Sequence, residues 1–458
     1  MLSDEIKNHL CRRLIPFWMK LRDAEYGGYY GWMDRELHVD RQAAKGCILN
    51  SRILWFFSNA AMSLGNSVQG GSAEGSYGWD SGTAEAVGGW EISLEEAAAH
   101  AYRFLRDRCI DRERGGVYWS VGYRGEPEDT TKHTYNQAFA VYALSSYFRA
   151  SHNREALELA EELITVIETR CFDVHGYKEA LDRDFQPVPN DKLSENGVMA
   201  ERTMNTLLHV MEAYTEYLLA CREAKKQERD AMAVTAESGC AVAEEGRTAA
   251  AEPEGTVTAE PGCAVAEAGR IEARLRWILN LIETRIYNPA LHRQEVFFDL
   301  DMNSLIDLHS YGHDIEAAWL MDRCLDVLGD EELSRRMSPF LWSLEQEVYE
   351  KAYTNHSLAN ECERGVVDTK RVWWVQAEGV VGFFNAWQRT GESRYRKAAE
   401  DIWQFIREHL VDKREDGEWF WYTDAAGNPA LEKPIVEPWK CPYYNGRMCM
   451  EIMRRCGK

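Results

Sequence analysis

Apolar positions along this chain fall into twelve segments of two alternating kinds. The first kind is amphipathic. Segment 154–171 sets Leu157, Leu159, Ala160, Leu163, Ile164 and Ile167 among Glu155, Glu158, Glu161, Glu162 and Glu168. That spacing fits a helix with one buried stripe and does not alternate as a strand would. Segments 4–21, 94–109, 271–286, 331–352 and 393–411 read the same way, with helix-start residues at Ser93 and at Glu392-Ser393. The second kind is apolar around most of its circumference. It begins at KGCILNSRILWFF (45–57), KHTYNQAFAVYAL (132–144), RTMNTLLHVMEAY (202–214), SYGHDIEAAW (310–319), RVWWVQAEGVVGFF (371–384) and PYYNGRM (442–448). Helices apolar all round are buried. The alternation predicts an all-α fold, an (α/α)6 barrel with six half-exposed helices around six buried ones.

An aromatic turn phrase leads into each buried helix: Gly27-Gly28-Tyr29-Tyr30, Gly115-Gly116-Val117-Tyr118-Trp119, Gly176-Tyr177, Val296-Phe297-Phe298, a faint Gly365-Val366-Val367, and Gly417-Glu418-Trp419-Phe420-Trp421. A repeat of this kind fixes architecture before any single motif does. It predicts short β-hairpins at one rim and a single (α/α)6 barrel domain over residues 1–458. Two stretches stand outside it. Residues 66–92 form a Gly/Ser-rich insertion. Residues 225–270 are Ala/Glu/Gly-rich and hold a near-copy of themselves, VTAESGCAVAEEGR (234–247) and VTAEPGCAVAEAGR (257–270). Without aromatic anchors the latter is expected to be disordered.

Composition narrows the function classes. Lys and Arg number 53 against 75 Asp and Glu, a formal charge of −22, which argues against nucleic acid and anionic membranes as partners. No apolar run approaches a membrane span. The opening MLSDEIKNHLCRRLIPFW lacks the basic-then-apolar order of a signal peptide. Twelve scattered cysteines without a CxxC pair then read as reduced thiols of a cytoplasmic protein. The surplus is aromatic: 16 Trp and 21 Tyr. Such rings fill a helical core, and they also line sites for ligands that are partly apolar and partly polar, as sugars are.

On a ring of buried helices, a polar residue points into the central funnel or is paired in the core. Asn205 and His209 share one face; so do His309, His313 and Glu316, and Arg371, Trp374 and Glu378. The first buried helix adds Arg52, and the second adds His133, Tyr135 and Gln137. Three chemistries compete for this set. His309, His313 and Glu316 have the spacing of metal ligands. Glu316 and Glu378 could be the paired carboxylates of a glycosidase. A histidine base with Arg52 beside it suits proton transfer at a carbon next to a sugar carbonyl.

The strings SRILWFFSNA (51–60), GGVYW (115–119), KHTYNQAFAVYALSSY (132–147), SYGHDIEAAWLMDR (310–323), RVWWVQAEGVVGF (371–383) and PWKCPYYNGRMCMEI (438–452) resemble the N-acylglucosamine 2-epimerase superfamily, and within it the cellobiose 2-epimerases. The resemblance covers nearly all of the chain outside 66–92 and 225–270. It implies an (α/α)6 barrel and a cofactor-free, metal-free epimerisation at C2 of the reducing-end glucose of a β-1,4-linked disaccharide. In that mechanism one histidine removes the C2 proton and a second returns one from the other face. By position, His313 matches a catalytic histidine. Arg52 and His209 match residues holding the O1/O2 region, and Tyr135, Asn205, Glu316 and Glu378 match supporting polar groups. Trp374 and Trp439 match rings that stack on the sugars. A monomer or weak homodimer is expected.

One position departs from the pattern. The family's second histidine lies in a Pro-Tyr-His-Asn segment, and this chain has Pro442-Tyr443-Tyr444-Asn445. Tyr444 therefore takes the second catalytic place, with a phenol whose reference pKa is about 10. Two alternatives stay open: an aldose–ketose isomerase working with His313 alone, and a disaccharide-binding protein without turnover.

Overall fold

The computed structural model describes residues 2–65, 92–192, 196–241 and 263–457. Its inner helices are Cys47–Leu64, Thr134–Ser151, Met204–Ala241, Tyr311–Leu328, Trp373–Thr390 and Tyr443–Cys456. Each packs on the next and the sixth packs on the first, so the ring closes. The outer helices lean on it one by one: Leu2–His9, Leu94–Phe104, Arg154–Val166, Cys263–Leu281, Glu331–Lys351 and Ser393–Phe405. This is the expected (α/α)6 barrel. Inner helices are wrapped by protein on all sides, which is why their sequences are apolar all round.

Five outer helices contain a wider π turn: Leu10–Leu14, Leu105–Cys109, Ile167–Cys171, Ile282–Ile286 and Ile406–Leu410. Both apolar ends of each turn are buried, and four of the turns deliver the chain straight into the rim hairpin. Ser93 caps its helix by accepting from Glu96 N–H at 3.1 Å. Glu392, expected to help start the last outer helix, makes no such cap.

The rim is a circle of very short antiparallel pairings. Lys45–Gly46 pairs with Ser120–Val121, Lys132–His133 with Ala180–Leu181, Arg202–Thr203 with Phe297–Phe298, Leu308–Ser310 with Glu361–Glu363, and Arg371–Val372 with Tyr422–Thr423. A bridge from Met33 to Val436 completes the circle. Each partner strand belongs to the following unit, so the rim stitches neighbours together. Buried cations lock it further: Lys45 to Asp23 at 2.6 Å, Lys132 to Asp111 at 3.1 Å, Arg202 to Asp173 at 2.7 Å, and Lys440 to Glu418.

Two sequence expectations need adjustment. The faint phrase Gly365-Val366-Val367 is the far strand of an extra hairpin, and the true fifth copy is Tyr353–Thr354 with Ser357–Leu358. Residues 225–241 and 263–270, expected to be disordered, continue two helices. Their Ala/Glu/Lys-rich composition has high helix propensity even without aromatics. The rest of that insertion and residues 66–91 lie outside the described residues.

Candidate active site

The first turns of the inner helices converge on a funnel-shaped cavity of about 190 Å³. Tyr135, Asn205, Trp374 and Tyr444 are each the second residue of their helix, and His313 is a third. At that height a side chain on the inner face meets its counterparts from the rest of the ring. Arg52 and Trp439 complete the inner wall.

His313 faces the cavity. Its Nδ1 lies 2.7 Å from Ser310 Oγ, and its ring packs against the Trp374 indole at 4.7 Å. Gly312 leaves room for that indole, since a Cβ there would stand 2.5 Å from Trp374. Burial, with the nearby His209 charge, pushes the imidazole pKa down to about 3. At neutral pH it is therefore uncharged. With Nδ1–H given to Ser310, Nε2 carries the lone pair of a base.

Arg52 is buried, and among the described residues no carboxylate pairs with it. Nη2 donates to Tyr135 Oη at 2.7 Å, Nη1 approaches Cys441 Sγ at 3.8 Å, and Nε has no hydrogen-bond partner among the described residues. The guanidinium lies 4.1 Å from the Phe139 ring centre, 4.9 Å from Tyr443 and 5.6 Å from Tyr444. A buried positive charge caged by aromatic rings is poised for an anion that forms in the cavity.

Tyr444 is 6% exposed, with its ring 5.4 Å from Trp374. Burial, then the neighbouring Tyr135 and Glu316 charges, push its phenol well above the ordinary value. It stays protonated, so it can donate a proton and is a poor base.

Beneath the cavity lies a charged floor built around Arg447. This guanidinium donates to Glu212 at 2.6 Å, to Glu378 at 2.9 Å, and to Glu316. Tyr443 Oη donates to Glu212 at 2.5 Å, and Trp319 Nε1 to Glu378 at 2.8 Å. His209 Nδ1 sits 2.8 Å from Glu212, while its Nε2 faces Glu316 Oε1 at 3.9 Å. Burial, with Glu378 and Glu212 opposing Arg447, raises the Glu316 carboxyl to about 8.

The pattern of the family described as N-acylglucosamine 2-epimerase (GlcNAc 2-epimerase) matches residues 79–238 and 265–439, well over half of the chain. The chain belongs to the N-acylglucosamine 2-epimerase family. It is 44% identical to a cellobiose 2-epimerase of Eubacterium cellulosolvens, covering 99% of this chain and 98% of that protein. The crystal structure of a sugar epimerase from a ruminal bacterium is 41% identical, with a TM-score of 0.82 and 99% of each chain covered. The structure of cellobiose 2-epimerase from Bacillus thermoamylovorans is 36% identical, with a TM-score of 0.80 and 99% of each chain covered.

Against that family pattern, the structure brings Arg52, Tyr135, Asn205, His313, Trp374, Trp439 and Tyr444 onto one cavity. His209, Glu316 and Glu378 do not line it; they belong to the floor around Arg447. The three supposed metal ligands are pulled apart. His309 pairs with Asp314 at 2.9 Å, His313 faces the cavity, and Glu316 faces Arg447. Gln137 and Arg371 are rim locks. Gln137 holds Val117 N–H at 2.6 Å and C=O at 2.8 Å, and Arg371 Nε donates to Ser357 at 2.8 Å. His133 packs at a tilt against Trp119, which in turn packs against Trp439.

Sequence reading passed over Ser310, Glu212, Tyr443 and Arg447, and over Trp373 and Trp421 in the cavity wall. The last two have buried indole N–H groups without partners among the described residues. The adjacent Trp373-Trp374 pair was the available signal. Lys192, Asn196 and Asn360 line the cavity from loops and Glu361 from a rim strand, where no helical periodicity marks them.

The buried titratable groups set a pH optimum for stability. His9 and His313 are held down to about 3, and His133 and His209 to about 4, each chiefly by burial. Their contribution is present above the unfolded value of about 6.5 and is lost as pH falls toward 4. Glu179 is raised to about 7, and Glu316 and Glu345 to about 8, again chiefly by burial. Theirs is present below the ordinary carboxyl range and lost as pH rises through 8. Thermal melts from pH 4 to 9 are expected to peak near pH 6.5, and a Tm flat from pH 5 to 8 contradicts the assignment.

Proposed function

We propose that this chain interconverts glucose and mannose at the reducing end of β-1,4-linked disaccharides, turning cellobiose into glucosyl-mannose and lactose into epilactose. The observation that carries the reading is the pairing of an uncharged His313 with a carboxylate-free Arg52 on one cavity walled by indoles. The similarity to proteins named cellobiose 2-epimerase over 99% of the chain supports the same substrate class.

The reaction needs only proton transfers, so no cofactor or metal enters it. The reducing sugar opens, and His313 Nε2 takes the C2 proton. Negative charge collects on O1 and O2 of the cis-enediolate, where Arg52 stabilises it. Tyr444 returns a proton to C2 from the other face. Trp374 and Trp439 stack on the apolar faces of the sugars, and Asn205 and Tyr135 hold hydroxyl groups. His209, Glu316 and Glu378 support the wall from beneath.

The net charge and cysteine usage support a cytoplasmic location without nucleic-acid partners, and the expected state is a monomer or weak homodimer. Among the described residues, no helix is long and apolar enough to cross a membrane. Incubation with cellobiose followed by chromatography tests the reading. Glucosyl-mannose is the expected product. Glucosyl-fructose shows an isomerase instead, and saturable binding without product shows a sugar-binding protein.

A further inference from the structure

Among the described residues, five α-helices follow a Ser, Thr, Asn or Asp, and four of these residues cap their helix in one way. Ser93, Asn153 and Asp330 each accept from the backbone N–H three residues on, at Glu96, Ala156 and Leu333. Thr203 does the same for the third inner helix, with Oγ1 3.0 Å from Thr206 N. Ser310 holds the equivalent place before the fourth inner helix and makes no cap. Its backbone is no obstacle: φ −87° and ψ 97° nearly match the −98° and 99° of Asp330, which caps. A serine in this place ordinarily takes the N–H of the second or third helical residue. Here its Oγ lies 2.7 Å from Nδ1 of His313, so it meets the side chain of the third residue and leaves that residue's N–H.

The contact is built firmly. Ser310 is the last residue of its strand, set opposite Glu361, and is 6% exposed. The Trp374 indole packs against the imidazole at 4.7 Å, and Gly312 leaves it room. The ring of the base is thus held at one nitrogen and on one face. A neutral imidazole has a single N–H, and the hydrogen bond at one nitrogen decides which of the two carries it.

We propose that Ser310 is a positioning residue for the reaction: its hydroxyl accepts the Nδ1–H of His313 and so holds the tautomer whose bare Nε2 takes the C2 proton. The inference rests on the epimerase reading and deepens it. Nε2 gains the C2 proton while Nδ1–H stays hydrogen-bonded to the serine oxygen. The imidazolium then returns the gained proton to water before the next turnover, and no proton passes to Ser310. An uncharged acceptor suits this step, because a carboxylate in its place would favour the imidazolium and slow its return to a base. The helix forgoes a cap so that its third residue can act on the sugar.

Ser310→Ala removes the acceptor and, since no cap is lost, is expected to melt close to the native temperature. With cellobiose in D2O, its kcat for epimer formation and its rate of C2 deuteration are expected to fall together by about 10–100-fold, with KM little changed. Ser310→Thr restores a hydroxyl and is expected to recover most of both rates. Nitrogen-15 spectra of histidine-labelled protein, with His313→Asn to assign the ring, are expected to show Nε2 without a proton in the native chain. In Ser310→Ala a share of the rings is expected to carry the proton there. Native rates in the alanine variant overturn the proposal, as does a native ring protonated at Nε2. A slow alanine variant that threonine does not rescue gives the serine a packing role and overturns it too. If the alanine variant does not fold, the native spectrum and the threonine variant decide. If the native chain neither exchanges C2 nor forms product, the epimerase reading fails and this proposal with it. An active native chain with an indifferent alanine variant removes the proposal alone.

Discussion

His313→Asn is expected to abolish both epimer formation and exchange of the C2 proton. A positioned general base contributes about 10²–10⁴-fold, or roughly 3–5 kcal/mol of barrier, and this site has no spare one. His313 is the one imidazole lining the cavity among the described residues. His209 lies beneath it with Nδ1 engaged by Glu212, and His133 is packed against Trp119 and does not line the cavity. Tyr444 cannot substitute, because its phenol is held in the protonated form. Asparagine keeps a polar group within reach of Ser310, so the helix start is little disturbed. Steady-state kinetics together with NMR of C2 deuteration in D2O check the result. A variant retaining a tenth of either rate would show that another group takes the proton.

Tyr444→His is expected to raise turnover by about one to four orders of magnitude. An imidazole accepts a proton as a neutral ring and gives one back as its cation, whereas this phenol accepts one only as a rare anion. The tyrosine ring it replaces lies 5.4 Å from Trp374, and the imidazole is smaller. Turnover that falls in the variant would identify the phenol as an acid already tuned to the reaction. Turnover that stays level would remove position 444 from the chemistry.

Much of this was legible in the sequence because the ring geometry makes burial visible. Inner helices had to be apolar on every face, so Asn205, His313 and Glu378 stood out as polar intrusions. Periodicity could not separate height along the helix. Asn205 and His209 share one face, yet the first lines the cavity and the second lies a turn below it. Glu316 and Glu378, matched as supporting polar groups, likewise lie below the cavity, where both contact Arg447. Arg447 itself was hidden at the far end of a short motif, and its role depends on carboxylates from three other helices. Gln137 and Arg371 looked functional because rim locks also need buried polar groups. Loop residues such as Asn360 carry no pattern at all.

The most direct test of the account is the isotopic fate of C2. Native protein incubated with cellobiose in D2O should yield glucosyl-mannose with one deuterium at C2 of the mannose unit, as the enediolate is reprotonated from a solvent-exchanged donor. Glucosyl-mannose that keeps its original hydrogen at C2, or a ketose labelled at C1, would contradict it.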